Sequence, residues 1–249
     1  MPKITNYPDS PDIESSTKDY QNRFSGAIGE WFIDVQSQAT RTIIMKLDAG
    51  DSLNVADVGG GHGQSVNPIL DMGHHLTIIA SNDECKNIIK PVLDKHLVEF
   101  KAANIFDMPY EDNSFDIVIS YRMLAHLQDW EKYIKELARI SSRLVIVDFA
   151  SKRSVNFFAD ALFGLKQKVE KNTRHYKLFL EKEIIKAFAS HGFVPLYKVG
   201  QFVLPMALHR AMDQKFLSMT FEAVFKIIGF SYLFSSPVIF GFVKKEQVK

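Results

Sequence analysis

Residues 53–63 contain the side chains whose types and spacing most directly suggest chemistry. An apolar run leads to a single acid, Asp57, and then breaks into glycines. The glycines are Gly59, Gly60, Gly61 and Gly63. Glycine accepts positive φ and lets the backbone approach a ligand closely, and a helix beginning near Gln64 would direct free N–H groups toward a polar or anionic group. Many nucleotide-binding folds have such a turn, but the acid before it favours a ligand with a cationic or hydroxyl-bearing tail.

The composition is that of an ordinary globular protein. With 249 residues, 46% of them hydrophobic and 24% charged, the chain fits one domain spanning 1–249. Its formal net charge of +1 gives no indication of a nucleic-acid partner. Cys85 is the only cysteine, which excludes an internal disulfide and a cysteine-based metal site. We therefore expect a cytoplasmic protein that does not bind nucleic acid.

One uncharged stretch, 227–243, raises the question of a membrane span. It is about as short as a spanning helix can be, and it contains two glycines and a proline. We expect it to form a helix end, a turn and a buried strand over 238–243, with no stable membrane insertion. The sequence does not indicate an oligomeric state.

Short apolar runs alternate with helical patterns along the chain, which predicts an α/β fold with a mostly parallel sheet. Two long connections, 153–180 and 205–236, and N-terminal helices over about 17–48 are expected to cover a ligand site at one edge of that sheet. The predicted strands are Asn54–Val58, Leu76–Ala80, Val98–Ala102, Phe115–Ser120, Leu144–Phe149, Val194–Val199 and Val238–Val243.

Three motifs in this order resemble the class I S-adenosylmethionine-dependent methyltransferases, most closely the small-molecule branch with the ubiquinone/menaquinone-type enzymes. The motifs are Asp57-x-Gly59-x-Gly61-x-Gly63, the stretch from Asp107-Met108-Pro109 to Asp116, and Leu124-Ala125-His126-Leu127. The resemblance covers about residues 53–150. It implies a Rossmann-like, doubly wound, seven-stranded sheet that is mostly parallel, with an antiparallel last strand and helices on both faces. It also implies S-adenosyl-L-methionine as the cofactor.

The resemblance assigns roles residue by residue. Asp57 would reach the amino group of the cofactor, and Ser120 and Tyr121 would flank its sulfonium. The full set of cofactor contacts that it implies is Asp57, Gly59, Gly60, Gly61, Gly63, Asn82, Asp83, Asn104, Ile105, Phe106, Ser120 and Tyr121.

The sequence departs from the family pattern at two positions. The family usually has an acid at the end of strand two that binds the ribose hydroxyls, and here Ala80 stands there. Asn104 stands where an aspartate often accepts from the adenine amino group, although an amide oxygen can also accept. Either Asp83 moves in to compensate, or cofactor affinity is reduced, or the fold has been reused.

Several further residues are candidates for the chemistry. His126 would lie at the rim of the site, as a general base or only as a helix cap. His62 is expected to point to solvent or to space the turn. No group of acids and histidines has metal-ligand spacing. The candidate substrate contacts are Tyr20, Arg23, Phe24, His175 and Tyr176.

The predicted function is methyl transfer to an oxygen, carbon or nitrogen atom of a small, partly apolar metabolite. Two alternatives stay open. One is an enzyme that keeps the cofactor but does not transfer its methyl group, and the other is a binding or scaffold protein with weakened or lost cofactor binding. A nicotinamide-dependent enzyme fits less well, because its fingerprint is Gly-x-Gly-x-x-Gly. The sequence does not indicate the substrate.

Overall fold

Seven strands form one sheet in the computed structural model, which describes residues 10–47, 50, 52–95, 97–154 and 176–247. All seven predicted strands are present, with ends that differ by at most three residues from the prediction. The strands are β1 (Asn54–Val58), β2 (His75–Ala80), β3 (Glu99–Ala102), β4 (Phe115–Ser120), β5 (Ser141–Phe149), β6 (Phe193–Gly200) and β7 (Val238–Lys244).

The sheet has the order β3-β2-β1-β4-β5-β7-β6. The first five strands pair in parallel, and β7 runs antiparallel to both β5 and β6. The prediction of a mostly parallel, seven-stranded sheet with an antiparallel last strand is therefore confirmed. The strand order reverses between β1 and β4, which is the point where ligands bind in open sheets of this kind.

The central strands are apolar along their whole length because both of their faces are covered. Ile117, Val118 and Ile119 of β4 are all fully buried. One face packs against a core that includes Leu137 of the helix before β5, and the other packs against Ile43 of the long N-terminal helix. The buried β1–β4 pair thus gives the site a rigid base.

Helices connect the strands and extend the chain at its N-terminal end. Where N-terminal helices were predicted over about 17–48, the structure has two helices within residues 18–45. The helix expected near Gln64 begins at Val66. The helices are α1 (Asp12–Ser15), α2 (Lys18–Asn22), α3 (Gly26–Met45), α4 (Val66–Leu70), α5 (Lys86–Leu93), α6 (Trp130–Ile140), α7 (Glu181–Ala189), α8 (Met206–Met212), α9 (Lys215–Ile227) and α10 (Phe230–Phe234).

The uncharged stretch 227–243 comprises the end of α9, the short helix α10 and most of β7. The predicted turn is therefore partly helical, because Gly229 takes a left-handed conformation that ends one helix and starts the next. In the ranges that the structure describes, no helix is long and apolar enough to span a membrane.

Close packing of α3 on β7 depends on a residue without a side chain. A Cβ at Gly241 would overlap Cγ2 of Ile43, and both strand and helix are fixed at this point by the core around them. We expect Gly241→Ala to lower the free energy of unfolding by about 1–3 kcal/mol through overpacking. Urea denaturation measures this change.

The matched control is the double variant Gly241→Ala/Ile43→Ala. Removal of Cγ2 relieves the overlap, so the double variant should be more stable than the sum of the single effects predicts. Additive effects would contradict the proposed contact.

Candidate functional site

Four turns lie at the same edge of the sheet because β1 to β4 run parallel and end there. These turns contain most of the residues to which the sequence assigned cofactor contacts. They are 59–63, 81–85, 103–106 and 121–126.

The glycine turn is a region of very close packing. Gly59 has φ +82°, and a Cβ there would lie 2.6 Å from Sδ of Met123. At Gly61, a Cβ would overlap Oγ of Ser16, a residue of the N-terminal segment. Two side chains of the protein itself therefore lie directly against the backbone of the glycine turn. Met123 lies against Gly59, and Ser16 lies against Gly61.

Asp57 is the buried acid of the turn. Its Oδ2 accepts a hydrogen bond from the hydroxyl of Ser65, whereas Oδ1 has no hydrogen-bond partner among the residues that the structure describes. Burial raises the pKa of this carboxyl to about 7, against the smaller lowering effects of Ser65 and Arg122. A buried acceptor without a donor is costly, so Oδ1 is suited to a donor from a ligand.

Arg122 links the turn after β4 to three other parts of the structure: β5, the segment after the glycine turn, and α3. Its backbone takes a left-handed conformation, with φ 61°, and its N–H donates to Oδ1 of Asp148 over 2.5 Å. The guanidinium donates to Gln64 and, over 2.6 Å, to Oε1 of Gln36. Burial raises the pKa of Asp148 to about 6, and Arg122 lowers it again in part. Sequence reasoning missed Arg122 and Asp148, since neither belongs to a recognisable motif.

Two of the predicted substrate residues lie beside these groups. The Arg122 guanidinium lies 4.3 Å from the ring centroid of Phe24, and the Phe24 and Tyr20 rings are 5.5 Å apart. Tyr20 in turn stacks on His62 at 6.5 Å. The structure therefore brings Tyr20, Phe24, His62 and Arg122 together as one group, here called the aromatic wall. Arg23 is exposed, with its guanidinium 5.4 Å from the Tyr20 ring.

The expectation that His62 points to solvent was wrong. The side chain is buried beside Tyr20, and its Nδ1 accepts from the backbone N–H of Gln64 over 3.3 Å. Burial, together with the positive charge of Arg122, lowers the pKa of His62 to about 3. The ring is thus neutral at physiological pH, and its Nε2 has no partner in the described ranges.

An acid that was not predicted from the sequence lies against the turn after β2. Asp12 of α1 is fully buried, and its carboxylate accepts from the backbone N–H of Ser81 at 2.6 Å and from the Ser81 hydroxyl at 2.5 Å. Ser81 directly follows Ala80, where the family acid was expected. The only advance indication was an acid in a short polar segment, and nothing in the sequence connects that segment to β2.

The polar candidates of the same turn have other partners. Asp83 forms an exposed ion pair with Lys86 at 3.2 Å. Oδ1 of Asn82 accepts from the N–H of Glu84 at 2.8 Å. Cofactor contacts from Asn82 and Asp83 stay predictions.

The turn after β3 is stabilised by Asn104. Its Oδ1 accepts from the N–H of Phe106 at 3.0 Å, which leaves a second lone pair and the amide donors available. Ile105 is buried in the core, and Phe106 packs against Tyr133 at 6.0 Å between ring centroids. The cofactor contacts assigned to these three residues also stay predictions.

Ser120 and Tyr121 use their hydroxyls inside the protein. The Ser120 hydroxyl shares a hydrogen bond with Tyr133 at 2.7 Å, and Tyr121 shares one with Thr40 of α3 at 2.6 Å. Both side chains are buried. Their predicted place beside a sulfonium would therefore have to involve backbone atoms or the Tyr121 ring rather than these hydroxyls.

His126 ends a short 3-10 helix, Leu124–His126. It is half-buried, and its ring lies 5.5 Å from that of Tyr176. The N–H of Lys177 donates to the carbonyl of Ala125 at 2.7 Å, so this part of the connection lies against the turn. His175 lies outside the described residues. Within those residues, no cluster of acids, histidines or cysteine could hold a metal ion.

Comparison with known proteins shows which proteins this chain resembles. A family model described as a methyltransferase domain matches residues 56–143, from β1 into β5. O-methyltransferase rstn1 of Aspergillus nomiae is 26% identical over 145 residues, which cover 57% of this chain and 60% of that protein. Shorter matches span 16%, 20% and 26% of three N-methyltransferases. The chain therefore covers less than two thirds of the length of each of these four relatives.

Solved structures share the fold over most of the chain. Magnesium protoporphyrin IX methyltransferase from Synechocystis PCC 6803, with bound S-adenosylhomocysteine, has a TM-score of 0.62 at 14% identity, over 93% of this chain and 97% of that one. The [4+2]-cyclase SpnF has a TM-score of 0.57 at 16% identity, over 84% of this chain and 80% of that one.

The matched segment runs from within β1 to the start of β5 and includes all four site turns. Residues 56–143 are therefore similar to a methyltransferase domain, and the chain shares its fold with these solved structures.

Proposed function

We propose that this protein transfers a methyl group from S-adenosyl-L-methionine to an oxygen, carbon or nitrogen atom of a small, partly apolar metabolite. The observation that carries the proposal is Oδ1 of Asp57, a buried acceptor beside the glycine turn that has no donor among the residues the structure describes. The cofactor has an ammonium group at its methionine end, which would supply that donor. The residues present fit the cofactor at this end.

When bound, the cofactor supplies an electrophilic methyl group on a sulfonium. The chain has to align the acceptor atom with that group and exclude water. Asp57 would hold the ammonium, and the backbone at Gly59 to Gly61 would run beside the methionine part. Arg122 and its partners Gln36 and Gln64 would fix the wall of the site, because the guanidinium is hydrogen-bonded to both.

The aromatic wall is the proposed substrate contact. Its aromatic members, Tyr20, Phe24 and His62, are buried or half-buried, which suits a partly apolar substrate. His62 is a poor proton acceptor, because its pKa is lowered to about 3. His126 is only half-buried and is the better candidate for a general base if the acceptor atom must lose a proton.

A second candidate is a binding protein that does not turn over the cofactor. It is favoured by the strand-two turn, where Asp12 of the chain itself uses the donors of Ser81. Cofactor-dependent chemistry without methyl transfer is a third possibility, and the fold shared with a [4+2]-cyclase is compatible with it. Methyl transfer releases S-adenosylhomocysteine during turnover, whereas the binding protein and the enzyme without methyl transfer would not release it.

We also propose that residues 1–249 act as one domain in the cytoplasm, without a nucleic-acid partner or stable membrane insertion. The near-neutral net charge of +1 supports the absence of a nucleic-acid partner. The free, buried thiol of Cys85 is compatible with a reducing compartment.

Calorimetry with S-adenosylmethionine and S-adenosylhomocysteine tests the proposal through Asp57. We expect the wild type to bind both, and Asp57→Asn to lose about 10- to 100-fold in affinity, because a charge-assisted hydrogen bond is worth about 1.5–3 kcal/mol. The control is Asp71→Asn, which removes an exposed carboxylate paired with Arg41 and should leave the affinity unchanged. Lack of binding at millimolar ligand by the wild type and by Asp12→Ala, which removes the acid bonded to Ser81, would refute the proposed function.

The affinity should also depend on pH. Only the ionised Asp57 carboxylate is a strong acceptor for the ammonium, and its pKa in the free protein is about 7. The dissociation constant should therefore rise as pH falls below 7, by up to about tenfold per unit. Titrations at pH 6.0, 7.0 and 8.0 measure this change, and Asp57→Asn should abolish it.

The same group has the opposite effect on the stability of the free protein. Burial favours the protonated carboxyl, so its stabilising contribution is present at low pH and is lost as pH rises from about 4 to 7. Thermal unfolding should show this decline in the wild type and a smaller one in Asp57→Asn. Equal pH dependence in both proteins would mean that Asp57 does not titrate in this range.

A further inference from the structure

The N-terminal segment 11–16 lies against the turn that follows β2, at one side of the candidate site. Asp12 is its deepest residue and is fully buried. Both carboxylate oxygens accept hydrogen bonds from Ser81, one from its N–H at 2.6 Å and the other from its hydroxyl at 2.5 Å. The hydroxyl of Ser16 donates to the carbonyl of Asp12 at 2.7 Å, so Asp12 and Ser16 form one compact unit.

Ser16 occupies the open side of the glycine turn. Its Oγ fills the position that a Cβ on Gly61 would take, and Cβ of Cys85 lies 2.8 Å from the same position. Gly61, Ser81 and Asn82 are all buried beneath or beside this segment. The space left free by the missing side chain of Gly61 is thus occupied by the Ser16 hydroxyl.

These contacts use the groups that a ligand at this edge of the sheet would need. The N–H of Ser81 is a backbone donor directly beyond the carboxyl end of β2, next to the switch point of the sheet. Gly61 is the place where a ligand could touch the backbone. A molecule extended from Asp57 toward β2 would meet Ser16 and Asp12 before it reached either group.

We propose that segment 11–16 is an intramolecular competitor of the cofactor, which must leave the strand-two side of the site before the adenosine part can enter. This inference rests on the proposed function and concerns the regulation of the same site. The protein is then in an equilibrium between a closed state with Asp12 on Ser81 and an open state that can bind the cofactor.

The secondary structure of segment 11–16 contributes little to holding it in place. Helix α1 has four residues and no side-chain hydrogen bond at its N-cap, and a helix of this length is not stable by itself. Its attachment therefore depends on tertiary contacts, which include the two hydrogen bonds from Ser81 to Asp12. The apparent dissociation constant of a ligand is its intrinsic value divided by the open fraction, so a weaker attachment must tighten binding.

The experiment compares Asp12→Ala with the wild type. Without the carboxylate, the Ser81 N–H loses its acceptor in the closed state, and the open fraction rises. We expect the dissociation constant of S-adenosylhomocysteine, measured by calorimetry, to fall by about tenfold or more. Glu14→Ala is the matched control, because it removes the same charge from an exposed position of the same helix and should bind like the wild type.

Cys85 gives a second measurement that does not depend on the cofactor. It is the only cysteine of the chain, it is buried, and its Sγ lies 3.9 Å from the Asp12 carboxylate. Alkylation by N-ethylmaleimide should be faster in Asp12→Ala than in the wild type and in Glu14→Ala. If Asp12→Ala does not fold, the isosteric Asp12→Asn, which can accept through one oxygen only, should show both effects to a smaller degree.

The outcomes separate the two proposals. Tighter ligand binding with faster alkylation in Asp12→Ala supports the competitor. Equal or weaker binding by Asp12→Ala, with a wild type that does bind, overturns the competitor alone, and weaker binding would make Asp12 a ligand of the bound cofactor. Absence of binding by both proteins at millimolar ligand overturns the proposed function and the competitor together.

Discussion

Two carboxylates are buried at the carboxyl ends of β1 and β5, the two parallel strands that flank β4, and the rest of the site is arranged around their charge. Asp57 and Asp148 are each the second-to-last residue of their strand. A buried carboxylate is tolerated only with hydrogen bonds or a nearby cation, and Arg122 provides the cation for both. Because its backbone N–H also bonds Asp148, Arg122 adopts a left-handed conformation that a residue with a side chain rarely takes.

That arrangement makes the N-terminal helix part of the site. The Arg122 guanidinium needs acceptors, and Gln36 of α3 provides one of them. One turn further along α3, Thr40 bonds the hydroxyl of Tyr121, the residue before Arg122. Helix α3 is in turn held on the sheet by the contact of Ile43 with Gly241. The position of the guanidinium therefore depends on a helix that precedes the segment matched by the family model, residues 56–143, in sequence.

The two halves of the site differ in how well the protein satisfies its own polar groups. On the β1 side, Asp57 Oδ1 and His62 Nε2 have no partner in the described part of the chain. On the β2 side, Asp12 saturates the donors of Ser81. We therefore expect the groups on the β1 side to provide most of the binding free energy. On the β2 side, a ligand would first have to break the bonds between Asp12 and Ser81, which lowers its affinity. This difference would allow the occupancy of one site to be adjusted by a four-residue helix.

The sequence by itself determined the sheet and the turns at its edge. Seven apolar runs predicted seven strands, because burial of a strand leaves an apolar pattern that can be read locally. The glycine turn and the acid Asp57 were also identified, since their function depends on neighbours in the chain. The antiparallel last strand followed from the family resemblance.

Only the tertiary structure decided which distant side chains meet at that edge. Asp12 bonds Ser81 across 69 positions, Arg122 meets Gln36 across 86, and His62 is buried because Tyr20 covers it. None of these residues has a pattern of its own, and each is placed by the path of the N-terminal segment over the sheet. The sequence therefore determined the elements and the edge of the sheet where the candidate site lies, whereas the packing of that segment decided which charges are satisfied there and which are left for a ligand.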